Sequence, residues 1–290
     1  MSKTSDGSTS NIFLPVSDGE VNRMMGSLSS KEDAKDCYEW SDEVNNLSRE
    51  WVRAVMSQPY KRNKQKRRPF DYSRKKLIEY LLWRKKTDIT SKISHHLNSD
   101  GSAMARLTTS HGSLYWHGVD SEGSPILWYH ADKTCFDSAV VKNEIECSSL
   151  VIQAGLDAMP VKTYRINFVI CFDIFSPLKA MKKPNLAPAF IKLFMKICPD
   201  RLKKAYMVTG SLGHVFYKVA NTLASASIMD KVVETRSREE TARMMIRDGV
   251  VSNDEVPIFM GGKYVHDEQI TLNFPTMIRS INVAMMEERR

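Results

Sequence analysis

The chain lacks any apolar run long enough to cross a bilayer: no stretch of its 290 residues approaches about 18 uninterrupted apolar side chains. Membrane contact, if it occurs, is therefore expected to be peripheral. The opening MSKTSDGSTSN has neither the charged start nor the apolar core of a secretory signal, so a cytoplasmic location is expected. The five cysteines, Cys37, Cys135, Cys147, Cys171 and Cys198, include no C-x-x-C pair. That argues against a zinc ribbon or a dithiol redox centre and for reduced thiols, with Cys171 and Cys198 acting as small hydrophobes in apolar segments. There is no internal repeat.

The usual catalytic motifs are missing too. A nucleophile elbow needs G-x-S-x-G, but Ser211 stands in TGSLG with Thr209 at the leading position. A P-loop needs G-x-x-x-x-G-K-[ST], but around MGGKY the ends are Pro257 and Tyr264. His111, His117 and His130 lack the i, i+4 spacing that puts metal ligands on one helix face, and read as loop histidines. TGSLGHV follows a strand and precedes a helix, so its amides face a position where a phosphate can sit. It lacks the G-x-G-x-x-G spacing, and a nucleotide-cofactor enzyme stays a minor alternative. No catalytic residue, metal or cofactor is assigned.

Positive charge is present but local. Between Lys61 and Lys86 stand 12 lysines and arginines against Asp71 and Glu79, so this segment carries +10 of a net +8 and the remainder is slightly acidic. KRNKQKRRP, with Lys64, Lys66, Arg67 and Arg68, suits an anionic membrane surface or a nuclear-import receptor; a solvated linker is the plainer reading. Nucleic acid is not expected as a partner.

Composition makes residues 1–30, rich in Ser, Gly and Asp, a mobile tail. Cys37, Trp40, Val44, Leu47, Trp51 and Val55 follow a helical period, which predicts one amphipathic helix over Lys31–Ser57 before the basic connector. Further helices are expected near Asp71–Arg84 and Ile89–Leu97, giving a helical region over 31–107. Beyond it, strands at SPILWYHA, RINFVICFD, KAYMVTG and IMDKVVET are separated by helices ending at Pro160, Pro199 and about Ala226. Connections of that length cross over rather than turn back, so the domain over 108–263 is α/β with a largely parallel sheet. Ser237 and Glu240 form a capping box for a helix that stops at Gly249. Residues 264–290 are left as a C-terminal tail.

Between Ser211 and Met229 the only formal charge is Lys218, while Leu212, Val215, Phe216, Val219, Leu223 and Ala226 form a face widened by Ala220 and Ala224. A helix apolar around most of its girth is either a core element or the cover of a cavity.

The order of segments resembles the CRAL-TRIO lipid-binding family, which includes cytosolic phosphatidylinositol-transfer proteins and carriers of tocopherol and retinaldehyde. The resemblance runs from Phe70 to about Lys263: LIEYLLWRKKTDI looks like the family's basic helix, and GVDSEGSPIL follows G-x-D-x-x-G-x-P-V-L. FVICFD, CPDRLKKAYMV and EVPIFMGG resemble three later family segments. It implies an open, largely parallel sheet that floors an apolar cavity, an N-terminal helical subdomain, and a gate helix carrying Phe216, Val219, Ala220 and Leu223. By alternation Phe168, Ile170 and Phe172 share one strand face and Tyr206 and Val208 share another, and either set is a candidate floor. The resemblance assigns Asp200 and Lys231, with Arg201, to a phosphoinositide headgroup. Ile228, Phe168 and Ile170 stand where lipid-transfer members carry hydroxyl residues, and Thr209-Gly210-Ser211 replaces N-A-P. These departures argue against phosphatidylcholine exchange and leave phosphatidylinositol as leading ligand. The implied function is noncatalytic binding or transfer of one phospholipid or small lipophile, with a regulatory or protein-interaction scaffold as the alternative.

Overall fold

The computed structural model describes residues 14–29, 41–45, 47–60, 63–99, 112–134, 140–159, 163–173, 184–210, 217, 221–222 and 226–287. The chain divides into two compact units, Met1–Leu81 and Leu82–Arg290, and the division falls inside a helix.

The first unit corrects the reading of residues 1–30 as a tail over 14–29; residues 1–13 and 30 lie outside the described residues. Helix α1 (Asp18–Ser29) buries Val21, Met24 and Leu28, whose spacing of three and four places them on one face. Its start is a capping box: the Ser17 hydroxyl accepts from the Glu20 amide at 3.2 Å and the Glu20 carboxylate accepts from the Ser17 amide at 2.9 Å. Arg67 lies 2.8 Å from the Glu20 carboxylate, and this bond, with the Ser17 amide, holds Glu20 down at about 2. Residues 31–40 lie outside the described residues, and over 41–57 the single helix expected for Lys31–Ser57 is broken. Helix α2 covers Ser41–Asn45 and α3 covers Arg49–Ser57, where the Ser48 hydroxyl caps the Trp51 amide and so starts a new helix. Trp51, Val52 and Val55 are fully buried, and the Trp51 ring meets Tyr80 edge-on with centroids 4.9 Å apart. The basic connector is a hairpin, β1 (Pro59–Tyr60) against β2 (Asn63–Arg67), and α4 (Phe70–Thr87) follows.

The second unit holds α5 (Ile89–Leu97) and a five-stranded sheet in the order β3-β4-β5-β6-β7. Strand β3 (Leu114–Val119), which the sequence reading omits, pairs antiparallel with β4 (Pro125–His130). β5 (Ile166–Cys171), β6 (Leu202–Val208) and β7 (Val232–Thr235) continue in parallel, as the long connections require. Helix α6 (Val141–Ala158) joins β4 to β5, and α7 (Leu186–Ile197) joins β5 to β6. The stretch read as strand from Ile228 starts only at Val232, because α8 (Ala226–Met229) occupies its first residues. Helix α9 (Arg238–Arg247) has the expected Ser237 cap and ends before Gly249, whose φ of +68° suits glycine. The expected C-terminal tail is another correction: α10 (Glu268–Thr271) and α11 (Phe274–Glu287) follow, with Phe274, Met277, Ile278 and Ile281 buried at helical spacing.

One buried carboxylate ties the antiparallel hairpin to the parallel strands. Asp120, 1% exposed, accepts from the amides of Glu122 and Ser124 at 2.9 and 2.8 Å through one oxygen. Its other oxygen accepts from Asn167 Nδ2 and Lys203 Nζ, both at 2.7 Å. The G-x-D-x-x-G spacing is thus that of a turn whose acid fixes β3 and β4 to β5 and the start of β6.

Candidate functional site

Register divides the candidate floor residues. Val169 pairs with Tyr206 and Cys171 with Val208, whereas Phe168 and Ile170 pair with Ala205 and Met207. Paired residues of neighbouring parallel strands point the same way, so the Phe168 set and the Tyr206 set lie on opposite faces and cannot line one cavity.

The Phe168 face looks toward α6 and α7. Phe168 stacks on Phe194 with centroids 5.0 Å apart, and Tyr129 stacks on Phe190 at 5.4 Å and meets Phe172 edge-on at 6.1 Å. Trp116 on this face donates its indole N–H to the Val151 carbonyl of α6 at 2.8 Å. Gly155, one turn on, has room for nothing larger: a Cβ there would stand 2.2 Å from the indole. Burial is complete near β3 and at Phe168 but relaxes toward the strand ends, where Ile170, Phe172, Phe190 and Ile191 are only half-buried. The result is an aromatic, polar-poor surface, in which the Tyr129 hydroxyl meets that of Thr134 at 3.2 Å and burial pushes it up to about 12.

The three headgroup candidates stand at the other end of these strands. Asp200, at φ +60°, and the buried Arg201 form the turn into β6, and Lys231 forms the turn into β7. The Lys231 ammonium donates to the Leu202 carbonyl at 2.7 Å, which brings it beside the Asp200–Arg201 turn. Arg201 also gives its carbonyl to the Ile166 amide at 2.9 Å. From Ile166 to Phe172 the strand rise, about 3.3 Å per residue, separates this polar corner from the half-buried aromatic end by roughly 20 Å.

On the opposite face Tyr206 is fully buried and donates its hydroxyl to Asp248 at 2.7 Å, while Lys204 pairs with the same carboxylate. Burial, the bond to Asp248 and that residue's charge keep the phenol protonated. Tyr206 and Val208 therefore serve the packing of α9. His117 and His130 are buried strand residues on this face, not loop histidines. They meet His266, which the sequence reading overlooked: the His117 and His266 rings stack at 4.1 Å, and the Tyr115 hydroxyl lies 3.0 Å from His130 Nε2 and 2.9 Å from His266 Nδ1. Among the described residues no group of three or more His, Cys, Asp or Glu is arranged to hold a metal ion. No pattern in the sequence joins positions 115, 117, 130 and 266; only β3–β4 pairing and the return of the chain after Val256 do.

The gate candidates Phe216, Val219, Ala220 and Leu223, together with Cys37, Cys135 and His111, lie outside the described residues. In the basic hairpin Lys66 is exposed, Arg67 is tied to Glu20, and Arg68 lies over the Tyr72 ring at 5.8 Å; the side chain of Lys64 is outside the described set. Tyr72 is 46% exposed and is also approached by Lys76 at 5.7 Å. A cleft of about 360 Å³ lies between α5, α6 and α11, but no strand residue lines it. Among the described residues no helix is long and apolar enough to cross a membrane.

The model of the CRAL/TRIO domain matches residues 109–262, more than half of the chain. The chain belongs to the CRAL/TRIO family. A CRAL/TRIO assignment supports a lipid-binding or lipid-transfer protein with a lipophilic ligand, in a family whose members are generally noncatalytic carriers. Among solved structures the chain is similar to one described as "Crystal structure of Sfh5", with a TM-score of 0.57 and 12% identity, over 95% of this chain and 99% of that one. At such identity the likeness shows the CRAL/TRIO fold alone. Comparison with curated proteins gives no match.

Proposed function

We propose that the chain is a noncatalytic carrier that holds one phospholipid against the Phe168–Ile170–Phe172 face, with phosphatidylinositol the leading ligand. The observation that supports this reading is the separation along the strands: an aromatic surface half-buried at one strand end and, roughly 20 Å away at the other, a corner holding Asp200, Arg201 and Lys231. Acyl burial supplies most of the affinity, about 0.8 kcal/mol per methylene. The Lys231 ammonium, placed at Leu202, answers a phosphate, with Arg201 beside it; Asp200 accepts from inositol hydroxyls. No bond is made or broken, so the function needs no catalytic group and no cofactor beyond the lipid. Docking on anionic membrane through Lys64, Lys66, Arg67 and Arg68 is peripheral and transient, in a cytoplasmic setting.

Native mass spectrometry of the purified chain, followed by lipid extraction, tests the carrier. One lipid per chain is expected, and an empty chain after challenge with several phospholipids overturns the reading. Lys231→Ala is expected to slow phosphatidylinositol transfer about ten-fold or more, the loss of one charge-assisted contact. Unchanged transfer rejects the headgroup assignment.

A further inference from the structure

The histidine cluster on the opposite face makes none of the lipid contacts proposed above, and its geometry depends on charge. The Tyr115 hydroxyl has one proton to give and touches two imidazole nitrogens, His130 Nε2 and His266 Nδ1. With neutral rings it donates to one and accepts from the other. With two imidazolium rings both nitrogens donate and the hydroxyl proton faces only cations. The His117 and His266 rings, 4.1 Å apart and 12° from parallel, stack well when neutral and repel when both are charged. All of this falls on one attachment. The segment from Val256 to His266 is closed on itself by Ile258 N–H to the Tyr264 carbonyl at 2.9 Å and Tyr264 N–H to the Val256 carbonyl at 3.0 Å. It meets the sheet through rings: Phe259 edge-on to Trp128 at 5.6 Å and to His130 at 4.8 Å, and His266 against Tyr115, His117 and Trp128. Arg238 continues the chain of contacts, reaching the Phe259 carbonyl at 3.4 Å and Asp173 at 2.7 Å. Asp173 in turn lies so close to Gly210 that a Cβ there would stand 3.1 Å from its backbone.

We propose that His117, His130 and His266, joined through Tyr115, form an acid-released latch that fastens Val256–His266 to the sheet and, through Phe259 and Arg238, to the strand ends at Asp173 and Gly210. Burial drives all three rings toward the neutral form, His130 to about 3 and His266 to about 2. The charged or titratable groups facing them are Asp132 and Lys133 after β4, Cys171 on β5, Asp173, Arg238, and Glu255, Tyr264 and Asp267 around the segment. Only the imidazoles are of a type that ordinarily changes charge between pH 5 and 8.

Once the segment lifts, each ring regains a pKa near ~6.5, so between pH 8 and 5 each ring kept neutral when closed multiplies the opening constant about thirty-fold. His130 and His266 together give about a thousand-fold. The test is hydrogen exchange of the full chain read on peptides over 256–267, corrected for the intrinsic pH dependence of exchange. Below about pH 6 the logarithm of the opening constant is expected to rise by two to three for each unit of acidification, and a rise of one or less overturns the latch. His266→Gln is expected to lower that slope by one. Tyr115→Phe, which keeps every ring, is expected to raise opening at neutral pH about five-fold while leaving the slope; a changed slope counts against the bridge. These readings hold whether or not the chain carries lipid. The consequence for the ligand rests on the carrier reading: lipid release from the loaded chain is expected to accelerate in step with opening, and release that ignores an opened segment refutes the link from latch to Asp173 and Gly210.

Discussion

Replacing Asp120 tests whether one acid sets the register of the sheet. In Asp120→Ala four hydrogen bonds disappear at a side chain with no solvent exposure, and Lys203 loses its buried partner while keeping the exposed Glu122 at 2.9 Å. Breaking a buried charge pair by removing one member costs about 3–5 kcal/mol. The upper half of that range applies, because Asn167 also loses its bond and its Oδ1 makes no hydrogen bond among the described residues. A domain stable by about 5–15 kcal/mol is left marginal. Asp120→Asn separates charge from shape. Its Oδ1 still takes the two turn amides; Asn167 turns its amide over to accept from the new Nδ2, and only Lys203 faces a donor. A cost of about 1–2 kcal/mol follows, the price of one lost charge-assisted bond. Urea unfolding at neutral pH, followed by the fluorescence of the buried Trp116 and Trp128, measures both. A loss below 1 kcal/mol for the alanine variant, or equal losses for the two, refutes the reasoning.

Gly155→Ala gains helix propensity of about 1 kcal/mol but drives a methyl into an indole 2.2 Å away, which must move and abandon the Val151 carbonyl; a net loss of about 2–4 kcal/mol is expected in thermal or denaturant unfolding. Met24→Ala in α1 is expected to cost about 2–4 kcal/mol and to speed tryptic cleavage around Arg23, whereas a true tail would register nothing. Global stability is expected to fall with acid through the histidines. Their folded-state pKa values are depressed, so their contribution is whole above about 6.5 and is lost as pH falls; at pH 5.5 each strongly depressed ring accounts for about 1.4 kcal/mol, read from the shift in urea midpoint.

The fold was legible where periodicity is strong and connections are long. Val141, Ile145 and Ile152 mark α6, the run at Ile166–Cys171 marks a strand covered on both faces, and Ser237 marks the start of α9. Composition misled at the ends. Averaged over thirty residues, Ser, Gly and Asp outweigh the four positions Val21, Met24, Met25 and Leu28, yet those positions and the Ser17–Glu20 box specify a helix. In the hairpin Lys alternates with Asn and Gln, polar on both faces, so β2 has no hydrophobic period to read.

The candidate site was legible in its parts and not in their arrangement. A strand's alternation says which of its residues share a face but not which face of the next strand they join; that depends on register, which a one-residue slip inverts. Val169 opposite Tyr206 is what assigns Phe168 to α7 and Tyr206 to Asp248. The same register puts Tyr115 and His130 on the face that Tyr206 shares, where the chain after Val256 brings His266 to them. A tyrosine that only packs would tolerate phenylalanine. One that bridges two imidazoles cannot, and the neutral-pH opening of Tyr115→Phe is the measurement that tells a packed ring from a latch.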